Sequence, residues 1–389
     1  MGYRYAVLGA GRQGTACAYD MVRFGEADSV LLADQSLEAA EAAAARINRM
    51  LATDKARAAR LDVSDQAAVV QALAGIDAFL SAVPYYFNLD IARAAVRAGA
   101  SMCDLGGNTD LVLEELALDR EAQAAGISLI PDCGQVPGMG TSLMVYAMSL
   151  LDEPEEVLMW DGGLPQDPRP PFNYLLTFNI AGLTNEYAES PVFLRDGKPT
   201  VVPTMTELEE VVFPEPVGRV EAFMTGGGVS TMPWTFEGKL KTLQNKTIRY
   251  PGSFAQLRAF YDLGLWRTDP VFVAGQDVVP RELFHALFEP MVRIPGEKDV
   301  VVIRIRATGK KAGKPASVTL DLMDLFDEGT GFTAMERTTG WDGAIVAGMM
   351  ARGQTPRGAK PVELAVPPAL FVEELAKRGI RVTTEIAYG

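Results

Sequence analysis

YRYAVLGAGRQGTACAYDMVRFG, residues 3–25, begins as an apolar strand, turns at glycines and continues as an amphipathic helix. Gly9, Gly11 and Gly14 form G-x-G-x-x-G. In a strand–turn–helix the first glycine permits the tight turn and the second lets a pyrophosphate approach the backbone. The third lets the helix lie against the strand, and the helix N-terminus faces the phosphates. A second strand, SVLLAD, ends in Asp34, 20 residues after Gly14. An acid there accepts hydrogen bonds from the adenosine ribose and repels a 2′-phosphate. No arginine follows it immediately, so the expected cofactor is NAD, with Arg12 and Gln13 beside the glycines as further contacts.

The alternation continues outward. SLEAAEAAAARINRML reads as a helix, AARLDV as a strand, SDQAAVVQALAG as a helix capped by Ser64 or Asp65, and IDAFLSA as the fourth strand. FNLDIARAAVRAGA is helical, SMCDLG is the fifth strand, NTDLVLEELALDREAQAAG is helical and ISLIPD is the sixth strand. Strands and helices alternating at this spacing predict a doubly wound parallel sheet. Ligands of such sheets bind outside the carboxyl ends of the strands. Three stretches occupy those ends: Ser81, Ala82, Val83, Pro84 and Tyr85; Asp104 to Gly107; and Asp132 to Gly138. Gly106, Cys133 and Pro137 join the cofactor candidates, and Asp104, Asp132 and Tyr85 are the acid–base candidates. The alternative roles are turn formation for the acids and buried packing for Cys103 and Cys133. Cys17, on the first helix, reads as packing.

After Pro137 the pattern changes. GMGTSLMVYAMSLL is a helix, EVLMWDGGL a strand and PQDPRPP a rigid extended loop. YLLTFNI, PTVVP, GRVEAFMT, KTIRYP, DVVVIRIRATG and PASVTLDLMD have strand character, with helices FAQLRAFYDLG and PRELFHALF between them. Few crossovers separate these strands, which predicts a mixed or antiparallel sheet covered by helices. The expected fold is therefore α/β: a Rossmann sheet with an inserted α+β domain on a mixed sheet. Residues 1–139 and 334–389 form the first domain and 140–333 the second. TAMERTTGWDGAIVAGMMARG and PPALFVEELAKRG are the returning helices, and IRVTTEIA is a last strand.

Composition narrows the function. The net charge of -14 is spread along the chain and leaves no basic stripe for nucleic acid. No apolar run reaches membrane-span length. Cys17, Cys103 and Cys133 are dispersed, with no C-x-x-C, as expected of reduced thiols in the cytoplasm. The single histidine, His285, lies in an amphipathic helix and reads as structural, and nothing has metal-ligand spacing.

Taken together, GAGRQG, SAVPYYFN, DLGGN, PDCGQVPGM, GGLPQDPRPP, EAFMTGGGVST, KTIRYPGS and ERTTGW resemble the saccharopine dehydrogenase-like superfamily, and within it the lysine 6-dehydrogenases. The resemblance covers nearly the whole chain. It implies a homodimer or larger assembly and an NAD-dependent oxidative deamination of the ε-amine of L-lysine to 2-aminoadipate 6-semialdehyde. It also implies that KTIRYPGS faces the cofactor cleft, with Arg249 and Thr247 on the substrate carboxylate. The arginine fork suits that group. Tyr174 and Tyr85 are further substrate candidates. The chain departs from the pattern at Ser253, where many relatives carry His. Two alternatives stand beside this reading. A related C–N oxidoreductase would act on saccharopine or a polyamine, and a non-catalytic NAD-binding regulator would bind dinucleotide without turnover.

Asp34 generates a first prediction. kcat/KM for NAD should exceed that for NADP by about tenfold or more, because a 2′-phosphate meets a carboxylate. Equal values, or a preference for NADP, would contradict it and point to Arg12 as a phosphate ligand.

Overall fold

The structure, a computed structural model, describes residues 2–389. The chain divides into two compact units. The first comprises Met1–Tyr146, Glu328–Phe332 and Glu336–Gly379, and the second Ala147–Asp327, Thr333–Met335 and Ile380–Gly389.

The first unit is built on a seven-stranded sheet. Running from one edge, its strands are Ala56–Arg60, Ala27–Asp34, Tyr3–Leu8, Ala78–Ser81, Ser101–Asp104, Ser128–Ile130 and Gly358–Ala359. All pairings are parallel. This is the 3-2-1-4-5-6 order of the Rossmann fold with one added strand. Leu8, Val69, Phe79, Ile91 and Leu129 are buried in one core between sheet and helices. The helix Ala334–Ala351 is buried along almost its whole length. At Gly340 it meets the first helix so closely that a Cβ would stand 2.6 Å from the carbonyl oxygen of Gln13.

The second unit carries a nine-stranded mixed sheet. Its centre is the parallel pair Glu153–Pro165 and Thr242–Arg249. The long strands Asp299–Lys311 and Lys314–Leu325 continue the sheet antiparallel on one side, and Arg219–Phe223 and Glu209–Val212 on the other. The helices Ile180–Ala188, Ser253–Asp262 and Pro280–Val292 share an aromatic core with Tyr187, Phe223, Trp266, Phe284 and Phe288.

Several expectations are corrected. YLLTFNI is not a strand. Asn179 accepts a hydrogen bond from the Ala181 amide at 2.8 Å and starts the helix Ile180–Ala188, which ends the extended run. The third strand is Ala56–Arg60, which starts two residues before AARLDV and takes in only its first three residues, and the helix expected over 108–126 is two helices, Thr109–Leu116 and Asp119–Ala125. The final strand Val382–Tyr388 pairs with Lys314–Leu325, so residues 380–389 belong to the second unit and not to the first. Helix Asn88–Ala98, the glycine turn and the parallel pairing of the first six strands stand as expected.

The returning helix Pro368–Lys377 is fastened to the first helix by a buried ion pair. Arg378 donates from Nε and Nη2 to the two carboxylate oxygens of Asp20 at 2.7 and 2.8 Å, and from Nη1 to Glu374 at 2.6 Å. Removing one partner of such a pair leaves an uncompensated buried charge. Arg378→Met should therefore lower the unfolding free energy by about 3–5 kcal/mol. A urea midpoint unchanged from the wild type would contradict this account of how the C-terminal segment is held.

Candidate active site

The glycine turn explains itself in atoms. A Cβ on Gly14 would stand 1.9 Å from the Gly9 carbonyl oxygen, so strand and helix touch at a point only glycine can occupy. Gly9 has φ +100 and lies against the carbonyl of Ala82 and the side chain of Val83. Gly11 is different: a Cβ there would meet nothing within 4 Å. Its backbone faces open space at the start of the helix Arg12–Phe24, and no side chain caps that end. These features fit the pyrophosphate of a dinucleotide. Asp34 ends the second strand, with one oxygen accepting from the Ala10 amide at 2.8 Å and the other from the Ser36 amide at 2.9 Å. It is thereby locked to the glycine turn. Arg12 donates to Glu336 at 2.7 Å, which fixes it beside the same turn. Gln13 follows it on the first helical turn.

The strand ends converge as expected. Asp104 closes the fifth strand and accepts from the amides of Gly106, at 2.7 Å, and Asp132, at 3.2 Å. A Cβ on Gly106 would stand 2.3 Å from an Asp132 carboxylate oxygen and 3.4 Å from Pro137, and one on Gly107 would touch Tyr85. Asp132 sits at φ +64, a strained position for a residue with a side chain. Asp104 and Asp132 are both buried. Burial pushes the Asp104 carboxyl up to about 6 against the pull of its two amide donors.

Two candidates turn away from the crevice. The Ser81 hydroxyl donates to buried Asn88 at 2.8 Å. The Cys133 thiol lies in the interior, contacts the carbonyls of Ile130 and Pro131, and is pushed well up by burial. Backbone atoms are what these two residues have to offer a ligand. Ala82, Val83 and the exposed Pro84 lead from the fourth strand into the Tyr85–Phe87 turn.

Glu115 was not singled out by any motif. It is buried on the helix Thr109–Leu116, with one carboxyl oxygen lacking a hydrogen-bond partner. Burial first, and then the charges of Asp104 and Asp132, push its pKa up to about 10. At neutral pH it is a protonated acid beside two carboxyls. Its signal in the sequence is weak but real: it stands three residues after buried Val112, on the core face of that helix.

In the second unit Arg249 is almost fully enclosed. It donates from Nε to Tyr187 at 2.6 Å, from Nη1 to the Ile248 carbonyl at 2.7 Å and from Nη2 to Glu186 at 3.5 Å. Tyr174 and Tyr187 flank the guanidinium at 5.1 and 5.5 Å. Thr247 donates to the same Glu186 oxygen at 2.7 Å and shares a 2.7 Å hydrogen bond with Thr225. Five guanidinium donors less three leaves one N–H on each terminal nitrogen, which matches the two oxygens of a carboxylate. The surrounding space is small, and the centre of a water molecule can range over only about 10 Å³ there. Tyr174 is no proton acceptor at neutral pH, since burial pushes its phenol further up. His285 bonds Thr184 at 3.0 Å on the helix Pro280–Val292, as a structural imidazole would. Glu186, the hub of this network, lies in a stretch with no motif.

The parallel sheet, the glycine turn and the uncapped helix start define a Rossmann domain of the dinucleotide-binding kind. The family model described as saccharopine dehydrogenase NADP binding domain matches residues 5–130, and that described as saccharopine dehydrogenase C-terminal domain matches residues 134–380. The chain belongs to the saccharopine dehydrogenase family. It is 24% identical over 224 residues to the saccharopine dehydrogenase (NADP(+), L-glutamate-forming) of Saccharomyces cerevisiae, covering 55% of this chain and 49% of the relative. Its counterpart in Schizosaccharomyces pombe is 28% identical over 152 residues, covering 36% and 32%. The chain thus spans half or less of the curated relatives it matches. Among solved structures, apo saccharopine dehydrogenase (L-Glu forming) from Saccharomyces cerevisiae superposes with a TM-score of 0.78 at 20% identity, covering 99% of this chain and 100% of that one. The homospermidine synthase of Legionella pneumophila, in complex with NAD, gives 0.66 at 12%, covering 100% and 92%. Among the described residues no helix is long and apolar enough to cross a membrane, and no group of three or more His, Cys, Asp or Glu is placed to hold a metal ion.

The two glycines yield a paired prediction. Gly11→Ala should leave stability within about 0.5 kcal/mol of wild type yet weaken NADH binding about tenfold or more, because the new methyl occupies the approach to the backbone. Gly14→Ala should cost about 2–4 kcal/mol of stability through its clash with Gly9. Thermal melts and NADH titrations separate the two. A Gly11→Ala protein with wild-type affinity would remove the pyrophosphate from this turn.

Proposed function

We propose that this chain is an NAD-dependent dehydrogenase of a primary amine, with L-lysine as substrate and its ε-carbon as the site of oxidation. One observation carries this reading: Asp104, buried at the carboxyl edge of the sheet that bears the glycine turn, is held there by two amide donors, and burial pushes its carboxyl up to about 6. A base with a pKa just below the working pH is matched to removing a proton from an amine. No cationic side chain contributes to its shift.

Hydride leaves only from a carbon bearing a neutral amine. The free lysine ammonium has a pKa of about 10.4, so neutralising it at pH 7 costs roughly 4–5 kcal/mol. In the proposed reaction Asp104 takes that proton while the C–H bond at the ε-carbon breaks, and the bound nicotinamide supplies the hydride acceptor. The nitrogen lone pair forms the C=N bond. Water then adds to the iminium carbon, ammonia leaves, and the resulting aldehyde closes on the α-amine to a piperideine carboxylate. Tyr85 lines the same crevice through its contact with Gly107. Glu115 and Asp132 stand near enough to Asp104 for these acids to act on one another electrostatically. Within the second unit, Arg249 with Thr247 is the proposed anchor for a carboxylate, and the enclosing aromatic side chains must give way to admit one. The carboxylate of Asp34 supports NAD over NADP.

A second reading has specific support in the names of the curated relatives: oxidation or formation of a secondary amine such as saccharopine. Turnover separates the two. Lysine alone should reduce NAD, whereas the alternative needs saccharopine, or in reverse an amine together with an aldehyde.

The expected pH dependence follows from the two titrating groups. kcat/KM for lysine should rise from pH 7 to about 9 or 10 as the amine loses its proton. kcat should fall below about pH 6, where Asp104 becomes protonated and cannot act as a base. Asp104→Asn keeps an oxygen for the two amides, so it should fold normally while losing about 10²-fold or more in kcat together with the acidic limb. A variant within a few-fold of wild type, or an unchanged acidic limb, would exclude Asp104 as the base.

A further inference from the structure

Elsewhere in this chain, enclosed pairs of arginine and acid are short and two-pronged. Arg304 meets Asp321 at 2.6 and 2.9 Å, and Arg378 meets Asp20 at 2.7 and 2.8 Å. Arg249 and Glu186 are paired differently. A single contact of 3.5 Å joins them, from Nη2 to Oε1. The Thr247 hydroxyl holds that oxygen more closely, at 2.7 Å. Thr247 has one hydroxyl hydrogen and gives it to Glu186, so Thr225 is the donor in the 2.7 Å contact between the two threonines. This relay of hydroxyls fixes Oε1, while Oε2 of Glu186 accepts nothing from the described residues. Arg249 likewise keeps one N–H on each terminal nitrogen. Thr225 opens the glycine stretch 226–228. The Gly226 amide donates to the Glu186 carbonyl at 2.7 Å, and a Cβ on Gly226 would stand 3.0 Å from the Glu189 carbonyl oxygen. A Cβ on Gly227 would meet nothing within 4 Å. The stretch therefore packs on the end of the helix Ile180–Ala188 and leaves space beside it. The Arg249 side chain is 5% exposed and that of Glu186 21%, so solvent reaches the network at the carboxylate.

We propose that Glu186 is the ammonium ligand of a subsite for the head of an α-amino acid, with Arg249 taking the carboxylate. The proposal rests on the reading of Arg249 as a carboxylate anchor and adds what that anchor selects. Spare guanidinium donors beside a spare carboxylate oxygen are the complement of a zwitterion. In an α-amino acid the two charged groups share one carbon, which suits partners that are themselves 3.5 Å apart. Thr247, its hydrogen committed to Glu186, serves the anchor by orienting that residue. Charge decides among ligands. Arg249 and Glu186 sum to zero, so a zwitterion leaves the site neutral. A simple carboxylate adds negative charge beside Glu186, and a simple amine adds positive charge beside Arg249. Like charges brought together in a largely desolvated site oppose binding. An arginine fork by itself accepts any carboxylate. Glu186 is thus the residue that restricts this one to α-amino acids.

The test is calorimetric titration of the full chain, with and without NADH, using three ligands of matched apolar chain. L-Norleucine carries both charged groups, hexanoate only the carboxylate and pentylamine only the ammonium. L-Norleucine has no ε-amine, so its binding is read without turnover. It should bind about tenfold or more tighter than either of the others. Glu186→Gln keeps an oxygen for Thr247 and should fold normally. It should lose about tenfold or more in affinity for L-norleucine while its affinity for hexanoate holds or rises, bringing the two within about threefold. A purely structural Glu186 would move both ligands together. The wild-type ranking tests the subsite independently of the variant. L-Norleucine that binds in neither condition, wild type that binds hexanoate within about threefold of L-norleucine, or a Glu186→Gln protein with the wild-type ratio would each overturn the proposal. Lysine oxidation is read apart from this. A chain that ranks the three ligands as expected, yet reduces no NAD with lysine, keeps the subsite and loses the proposed reaction.

Discussion

The first unit depends on a contact that admits no side chain. Gly14 lies so close to the Gly9 carbonyl that any Cβ would overlap it, and this closeness seats the first helix on the first strand. The later structure builds on that seat. Asp34 binds the Ala10 amide, so the second strand's end is registered to the turn. Gly340 permits the helix Ala334–Ala351 to lie against the backbone at Gln13. Arg378 then ties the returning C-terminal segment to Asp20 on the same first helix. A dinucleotide site results because the turn that permits close packing also leaves Gly11 facing open space.

The strand ends add chemistry to that scaffold. Asp104 is fixed by amide donors on two segments, Gly106 and Asp132, which hold it in one position while burial lifts its pKa. Glu115 stays protonated chiefly because it is buried, with the nearby charges of Asp104 and Asp132 adding to the shift. Burial raises both carboxyls, amide donors hold Asp104 down and neighbouring charges lift Glu115 further, so one group is left as a base while the other keeps its proton. The second unit handles its charge differently. Arg249, Glu186, Tyr187 and Thr247 hydrogen-bond one another, and this network holds the end of the central strand Thr242–Arg249 while leaving two guanidinium N–H groups over.

What the sequence revealed follows from how local each signal is. The glycine turn, Asp34 and the alternating elements are short-range patterns, and they appear where expected. The strand ends could be named because the parallel topology dictates which residues reach the carboxyl edge. Glu115 and Glu186 escaped notice because their importance comes from where a helix packs, which spacing along the chain does not encode. YLLTFNI had the composition of a strand, but Asn179 caps a helix within it. IRVTTEIA was recognisable as a strand, yet its partner, Lys314–Leu325, lies far back in the chain, and only long-range pairing assigns it to the second sheet. Cys133 sits at a strand end by number, while its thiol points into the core.

The central claim is that a nicotinamide dinucleotide lies on the glycine turn, with its redox end at the acidic strand ends. The most direct measurement is a crystal structure of the protein with NADH. The pyrophosphate should lie within hydrogen-bonding distance of the backbone amides at the start of the helix Arg12–Phe24, with the adenosine ribose on Asp34 and the nicotinamide at Asp104. A dinucleotide bound elsewhere, or a pyrophosphate held by side chains away from Gly11, would contradict it.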